Sequence, residues 1–308
     1  MKKNLKWGIA LGFVLLNIVV YNHAYQFTHF ADEKGQRVKP EDLSFGKKIK
    51  VIFTGVDNPK PVNDKLPNKP FEMVAIEGDV RLKGWLIEVD NSKGVVVLFH
   101  GYSGSKSGLV AYAEEFNKMD FSTLLIDFRG SGGSEGRQTT IGFKEAKDVK
   151  ATFDFIKNKF PNQEIILFGT SMGAVSIMKA VADLGVQPSK IILECPFGTM
   201  RQTVKKRFEA MNLPSFPLAD MLMFYGGIQT GFNPYKHKPM EYAKDIKIST
   251  LLLYGKHDAR VTLEETEGIY ESLSGQKELV ILENSGHENY LNNDKKDWLS
   301  SIKKFIKN

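Results

Sequence analysis

Cysteine is nearly missing from this sequence. The 308 residues hold one, Cys195, so no intramolecular disulfide can form and the count leaves the redox compartment open. Its position after Ile191-Ile192-Leu193-Glu194 reads as the end of a buried strand, where a thiol serves as a small apolar filler. Dense basic blocks are missing too. The net charge of +6 comes from lysines and arginines scattered along the chain, without the interleaved aromatics of a nucleic-acid surface. Nucleic acid is therefore not an expected partner, and a solvated basic surface near an anionic bilayer is. His100, His257, His287 and Cys195 show no short ligand spacing, so no metal site is expected, and His257 reads as a turn residue. Phosphate-binding loops fail on single residues. Gly101 to Ser107 has Ser105 where the nucleotide motif needs glycine, and Gly130-Ser131-Gly132 is followed by Glu135 at the third glycine of a dinucleotide fingerprint. The latter reads as a tight loop pinned by Asp127 and Arg129.

What is present starts with an apolar N-terminus. Lys2, Lys3 and Lys6 precede Trp7 to Tyr21, a nearly uncharged run, and Trp7 through Phe27 supplies about the 20 residues a spanning helix needs. Trp7, Tyr21 and Tyr25 stand as interfacial anchors. Residues 1–27 are expected to be an uncleaved transmembrane anchor. The lysines predict a cytoplasmic N-terminus with the remainder beyond the membrane. Secretion after signal cleavage is the alternative, although the nearest candidate, after Ala24, has Asn22 at −3 where a small residue is wanted.

Residues 28–70 read as a connector with a first strand at Lys48 to Phe53 and irregular chain around Pro59, Pro61, Pro67 and Pro70. With 42% apolar and 25% charged residues, the chain has enough apolar side chains to build a sizeable core. Phe71 to Ile76 and Val80 to Val89 predict two antiparallel strands. Then strands and helices alternate: strand Val95 to Phe99, helix Gly108 to Lys118, strand Thr123 to Ile126, helix Phe143 to Phe160, strand Glu164 to Phe168 and a helix after it. Strand Lys190 to Leu193, strand Thr250 to Tyr254, helix Leu263 to Leu273, strand Glu278 to Leu282 and a helix from Asn289 to the end complete the series. This alternation predicts an α/β fold, a mostly parallel sheet with helices on both faces and function at the carboxyl ends of its strands. Residues 198–247 break it. They are rich in Phe208, Met211, Phe216, Met223 and Phe224, and read as a small helical cap over the strand ends. Most of these side chains would pack the cap down, and a minority would line a pocket.

Three titratable residues stand just past strand ends. Ser171 lies in Gly169-Thr170-Ser171-Met172-Gly173, where flanking glycines let the backbone make a sharp strand-to-helix corner. Asp258 comes after the strand at Leu251 to Tyr254, and His287 after Glu278 to Leu282. A serine hydroxyl is a weak nucleophile, so an imidazole must take its proton and a carboxylate must orient that imidazole. The order Ser, Asp, His suits these roles. Oxyanion donors are expected from the Met172 amide at a helix N-terminus and the Tyr102 amide in His100-Gly101-Tyr102-Ser103-Gly104. His100 itself reads as structural.

With His100-Gly101-Tyr102, Asp127 to Ser134, Gly169 to Gly173, Tyr254 to Asp258 and Gly286-His287, the chain resembles an α/β-hydrolase of the serine aminopeptidase-like group, which also contains lysophospholipases and esterases. The resemblance covers about residues 71–308. It implies an α/β-hydrolase fold and a cofactor-independent serine hydrolase acting through an acyl-enzyme. The expected substrate is a small-molecule or lipid-like carboxylic ester or thioester with an apolar acyl group. Two alternatives stand beside it. A peptidase for short peptides would need a cap carboxylate such as Glu209, Asp220 or Glu241 to bind the free amine. A non-catalytic anchored binding module would reuse the scaffold. Lys205, Lys206 and Arg207 read as a solvated helix face.

Overall fold

Val95, Val97 and Phe99 point to one side of strand β3 (Gly94–Phe99) and Val96 and Leu98 to the other, and all five are shut off from water. A strand apolar on both faces belongs in the middle of a sheet covered twice. In the computed structural model, which describes residues 2–31, 55, 58–210 and 212–307, β3 lies between β4 (Ser122–Asp127) and β5 (Glu164–Thr170), parallel to both. Among the described residues the sheet has eight strands in the order β1-β2-β4-β3-β5-β6-β7-β8. β1 (Glu72–Ile76) and β2 (Leu82–Ile87) are the antiparallel strands expected at the start of the sheet, and β2 also runs antiparallel to β4. β6 (Lys190–Glu194), β7 (Ser249–Gly255) and β8 (Lys277–Leu282) continue the sheet in parallel. The strand expected at Lys48 to Phe53 lies outside the described residues.

Helices cover each face. The N-terminal helix α1 (Lys2–Thr28) precedes the sheet. One layer uses α2 (Val110–Asn117), where Phe116 packs with Trp298 and Ile302 of the last helix. The other uses α3 (Glu145–Lys159) and α4 (Met172–Leu184), with Val149 and Ile177 against Val97 and Leu167. Between β6 and β7 the chain forms α5 (Met200–Ala210), α6 (Leu218–Thr230) and α7 (Pro239–Ala243), the helical insertion expected over residues 198–247. Val204, Ala219 and Met223 of this insertion form a cluster with Val175 of α4 and Val261. Its buried His237 reaches the Ile141 carbonyl at 3.1 Å, and burial lowers the pKa of this ring to about 4. α8 (Leu263–Ser272) and α9 (Lys295–Lys307) complete the order.

Two expectations need correction. The last helix starts at Lys295 and not at Asn289, because residues 289–294 form turns in which side chains compete for the backbone. Asn289 accepts the Leu291 amide at 2.9 Å, and Asp294 accepts from Asn284 and Ser285. Of the two residues expected to pin the loop at 127–134, Asp127 does so by accepting the Gly133 amide at 2.9 Å, while Arg129 pairs instead with Asp148 of α3. Lys106, the lysine of the rejected phosphate loop, is buried in an ion pair with Asp127.

Glu194 ends β6 without exposure to water and accepts from Tyr112 Oη at 2.9 Å and Trp298 Nε1 at 2.6 Å. Burial raises its pKa from 4.5 to about 8, against the pull of these two donors. The folded state thus binds this proton more tightly than the unfolded chain. Its contribution to stability is complete below about pH 4.5 and is lost as pH rises through about 8. Thermal unfolding monitored by circular dichroism from pH 5 to 9 is expected to show a falling midpoint in the wild type and a flatter profile in Glu194→Gln.

Candidate active site

The corner between β5 and α4 is possible only because two positions lack side chains. A Cβ on Gly169 would stand 2.5 Å from the Gly173 carbonyl carbon, and one on Gly173 would press into the Phe99 carbonyl oxygen. Ser171 between them adopts φ 50°, ψ −110°, a strained conformation for a residue with a side chain. Its amide donates to the Glu194 carbonyl at 2.8 Å, and its carbonyl accepts the Val175 amide at 3.0 Å, which starts α4. The hydroxyl is thereby lifted above the strand ends.

His287 and Asp258 reach it from β8 and β7. His287 Nδ1 lies 2.7 Å from Asp258 Oδ2, and Nε2 lies 3.0 Å from Ser171 Oγ. Asp258 has its other oxygen committed, since Oδ1 accepts the amides of Arg260 at 2.7 Å and Val261 at 2.9 Å. The carboxylate therefore faces the ring with Oδ2 alone, which sets the proton on Nδ1 and leaves the Nε2 lone pair to accept from the serine hydroxyl. The His287 loop is held from behind. Asp294 accepts from the Ser285 hydroxyl at 2.6 Å and the Asn284 amide at 3.0 Å. The Tyr290 amide donates to Tyr112 Oη at 3.1 Å, joining the loop to the Glu194 network.

The loop after β3 closes the site. A Cβ on Gly101 would lie 3.6 Å from the Ser171 Cβ, so the backbone of Gly101 approaches the serine corner. Tyr102 Oη donates to the Phe27 carbonyl at 2.9 Å, and the Arg207 guanidinium lies over the Tyr102 and Phe27 rings. Met172 opens α4, where the first amides of a helix have no intrahelical acceptor. His100 is buried and spent on backbone: Nδ1 meets the Gly101 carbonyl at 2.8 Å and Nε2 accepts the Phe128 amide at 3.1 Å.

Cys195 is the residue whose surroundings sequence reasoning missed. It is more than a core filler. It turns away from β6 at φ 41°, and its sulfur, Asp258 and His287 bring potential ligand atoms within 4.8 Å of one another. The absence of short spacings in the sequence therefore does not describe what folding assembles here, although His287 and Asp258 already satisfy each other. Burial disfavours the protonated His287 ring, yet the neighbouring Cys195 and the Asp258 carboxylate outweigh it, so its pKa is raised above 6.5.

Other candidates are occupied elsewhere. Asp220 is bidentate to Arg201 at 2.9 and 3.1 Å, and Glu241 pairs with Lys244. Lys206 pairs with the buried Glu265 at 3.0 Å, so the Lys205 to Arg207 segment is more than a solvated face.

Known proteins share this fold. Residues 90–222 match the family described as serine aminopeptidase, S33, a span that holds the Ser171 corner and the Tyr102 loop but neither Asp258 nor His287. The esterase Pf2001 of Pyrococcus furiosus superposes with a TM-score of 0.69 at 25% identity, over 81% of this chain and 96% of the esterase. The chain belongs to the α/β-hydrolase superfamily. Within it, this chain is a serine-hydrolase, esterase-type enzyme. It is similar to the uncharacterized protein YqkD of Bacillus subtilis, 26% identical over 230 residues that make up 74% of this chain and 75% of that one. It is also similar to the lysophosphatidylserine lipase ABHD12 of Danio rerio, 24% identical over 194 residues, 61% of this chain and 50% of the lipase. The chain thus matches about half the length of that lipase.

Two outcomes are expected for this hydrolase. Gly173→Ala, which must displace backbone, should lower stability by about 3 kcal/mol in denaturant unfolding. Ester hydrolysis should rise with pH on the alkaline side of neutrality as His287, with its pKa raised to about 10, loses its proton, and Cys195→Ala, by removing a group that raises this pKa, should move the acid limb of kcat/KM to lower pH.

Proposed function

We propose that this protein is a membrane-anchored serine hydrolase that cleaves carboxylic esters or thioesters of apolar acyl groups, with Ser171 as nucleophile, His287 as general base and Asp258 as its orienting carboxylate. The observation that carries this reading is the pair of hydrogen bonds through His287, 3.0 Å to Ser171 Oγ and 2.7 Å to Asp258.

The reaction runs in two halves. The Ser171 oxygen attacks the substrate carbonyl carbon while its proton passes to His287 Nε2, and the carbonyl becomes an oxyanion. The amides of Met172 and Tyr102 receive that charge, a stabilisation that in such sites amounts to about 2.7–4 kcal/mol per donor. The carbon–oxygen or carbon–sulfur bond then breaks, and His287 returns its proton to the leaving alkoxide or thiolate. Water repeats the sequence on the acyl-enzyme, giving the acid and free Ser171.

Residues 198–247 act as a cap whose inward face sets acyl specificity, supported by the cluster of Met223, Val204 and Phe197 beside Val175 of α4. Residues 1–27 anchor the protein with the hydrolase domain, 71–308, beyond the membrane. Asn4–Thr28 supports this, being long and apolar enough to cross a membrane by length and composition. The peptidase alternative is disfavoured by the ion pairs that already occupy Asp220 and Glu241. The resemblance to esterases and lysophosphatidylserine lipases favours ester cleavage over a binding-only role.

Purified wild type is expected to be labelled by a fluorophosphonate probe and to hydrolyse a chain-length series of acyl esters. Ser171→Ala should lose the label and lower kcat by about 10⁴-fold or more. A folded wild type that takes no label, or one that cleaves aminoacyl amides and no esters, would count against this reading.

A further inference from the structure

Helix α1 and the insertion form one unit. Asn17, Val20, Tyr21, Ala24 and Thr28 recur at helical spacing along α1. Val20, Ala24 and Thr28 are buried, whereas Leu5 to Leu16 project from the protein with apolar side chains exposed. The partner of the recurring stripe is α6: Tyr225 Oη donates to Asn17 Oδ1 at 2.5 Å, Gln229 Nε2 donates to the Tyr21 carbonyl at 2.8 Å, and the Tyr21 and Tyr225 rings meet edge to face at 5.6 Å.

Length then sets where α6 must be. The freely projecting part of α1, residues 4–16, is about 20 Å long at 1.5 Å per residue, which is short of the roughly 30 Å hydrocarbon core. A helix that spans the bilayer must therefore use residues 17 to 23 as well, and these are the ones paired with α6. The face of α6 turned away from the core fits that level. Phe224 is 54% exposed and Ile228 60%, Leu213 and Phe216 are exposed just before the helix, and no charged residue occurs from Met221 to Gly231. In water such a face is costly, while lipid accepts it.

From these observations we infer that α6 and the chain leading into it are seated in the membrane leaflet beside α1, and that the hydrolase takes its ester substrate, a bilayer-resident amphiphile, from that leaflet. This rests on the anchored reading above and adds the level at which the cap sits. The same contacts give access. The end of α1 touches the oxyanion loop through Phe27 and Tyr102, and Gly101, next to Tyr102 in that loop, adjoins the Ser171 corner. An ester group at the headgroup level therefore has a short path to the serine without its acyl chain crossing water.

The test uses the full chain reconstituted into phosphatidylcholine vesicles with brominated acyl chains. In a Trp7→Phe background the other tryptophans, Trp85 and Trp298, are buried in the domain, so a tryptophan introduced at position 224 or 11 reports its own contact with lipid. Fluorescence of both Phe224→Trp and Leu11→Trp is expected to be quenched. The double variant Phe224→Glu/Ile228→Glu should lose about tenfold or more in hydrolysis of a long-chain ester held in the vesicle, with a soluble short-chain ester within about twofold of wild type. Quenching at position 11 without quenching at 224 overturns the seating of α6 and leaves the anchor standing. No quenching at either position overturns the anchor, and the seating with it. Equal loss on both esters overturns the leaflet as the source of substrate. If wild type cleaves neither ester, it is the hydrolase reading that fails, while quenching still decides where α6 lies.

Discussion

The site depends on one close approach, that of the backbone of α4 to the ends of β3 and β5. Gly169 and Gly173 let the helix start within one residue of the strand, and Ser171 takes up the resulting strain at φ 50°. That strain is sustained from both sides, by the Glu194 carbonyl on the next strand and by the first turn of α4. A strained residue persists only where its surroundings over-determine it, and here those surroundings are the ends of β5 and β6 and the first turn of α4.

His287 and Asp258 come from loops and are held in place by hydrogen bonds. Asp258 is held by two amides of its own loop, and His287 by a chain that runs from Asp294 through Ser285. A second chain runs from the Tyr290 amide through Tyr112 to Glu194, whose carbonyl also receives the Ser171 amide. The serine corner and the histidine loop thus share one buried carboxyl residue as a support. Cys195, next in the chain, stands beside the imidazole and biases its protonation. Three strand ends, β6, β7 and β8, meet around a single ring.

The N-terminal helix and the insertion show the same economy on a larger scale. α6 is attached inward to the body through Met223 and Ala219 and sideways to α1 through Tyr225 and Gln229. The chain before the domain is thereby tied to the helical insertion, and Tyr102 ties the end of α1 to the loop after β3 by its bond to the Phe27 carbonyl.

Much of this was legible in the sequence because it is local. Runs such as Val95 to Phe99 announce two-sided burial, and the glycines around Ser171 announce a corner that no other residue permits. The order of strand-end residues, Ser171 then Asp258 then His287, comes from the alternation alone. The rest depends on which strands become neighbours and on where side chains far apart in the chain finally point. Periodicity carries no information about that. Cys195 looked like filler because nothing in Ile191 to Glu194 says that β8 will bring His287 beside it. Arg129 looked like a loop pin because Asp148 is 19 residues away on another element. The closing helix looked longer because the turn made by Asn289 and Asp294 gains its stability from Asn284 and Ser285. The pairing of α1 with α6 joins residues 208 positions apart. Local chemistry by itself determined the elements and the kinds of group at their ends, while tertiary structure decided the contacts, because contacts are made by packed surfaces and not by neighbours in the chain.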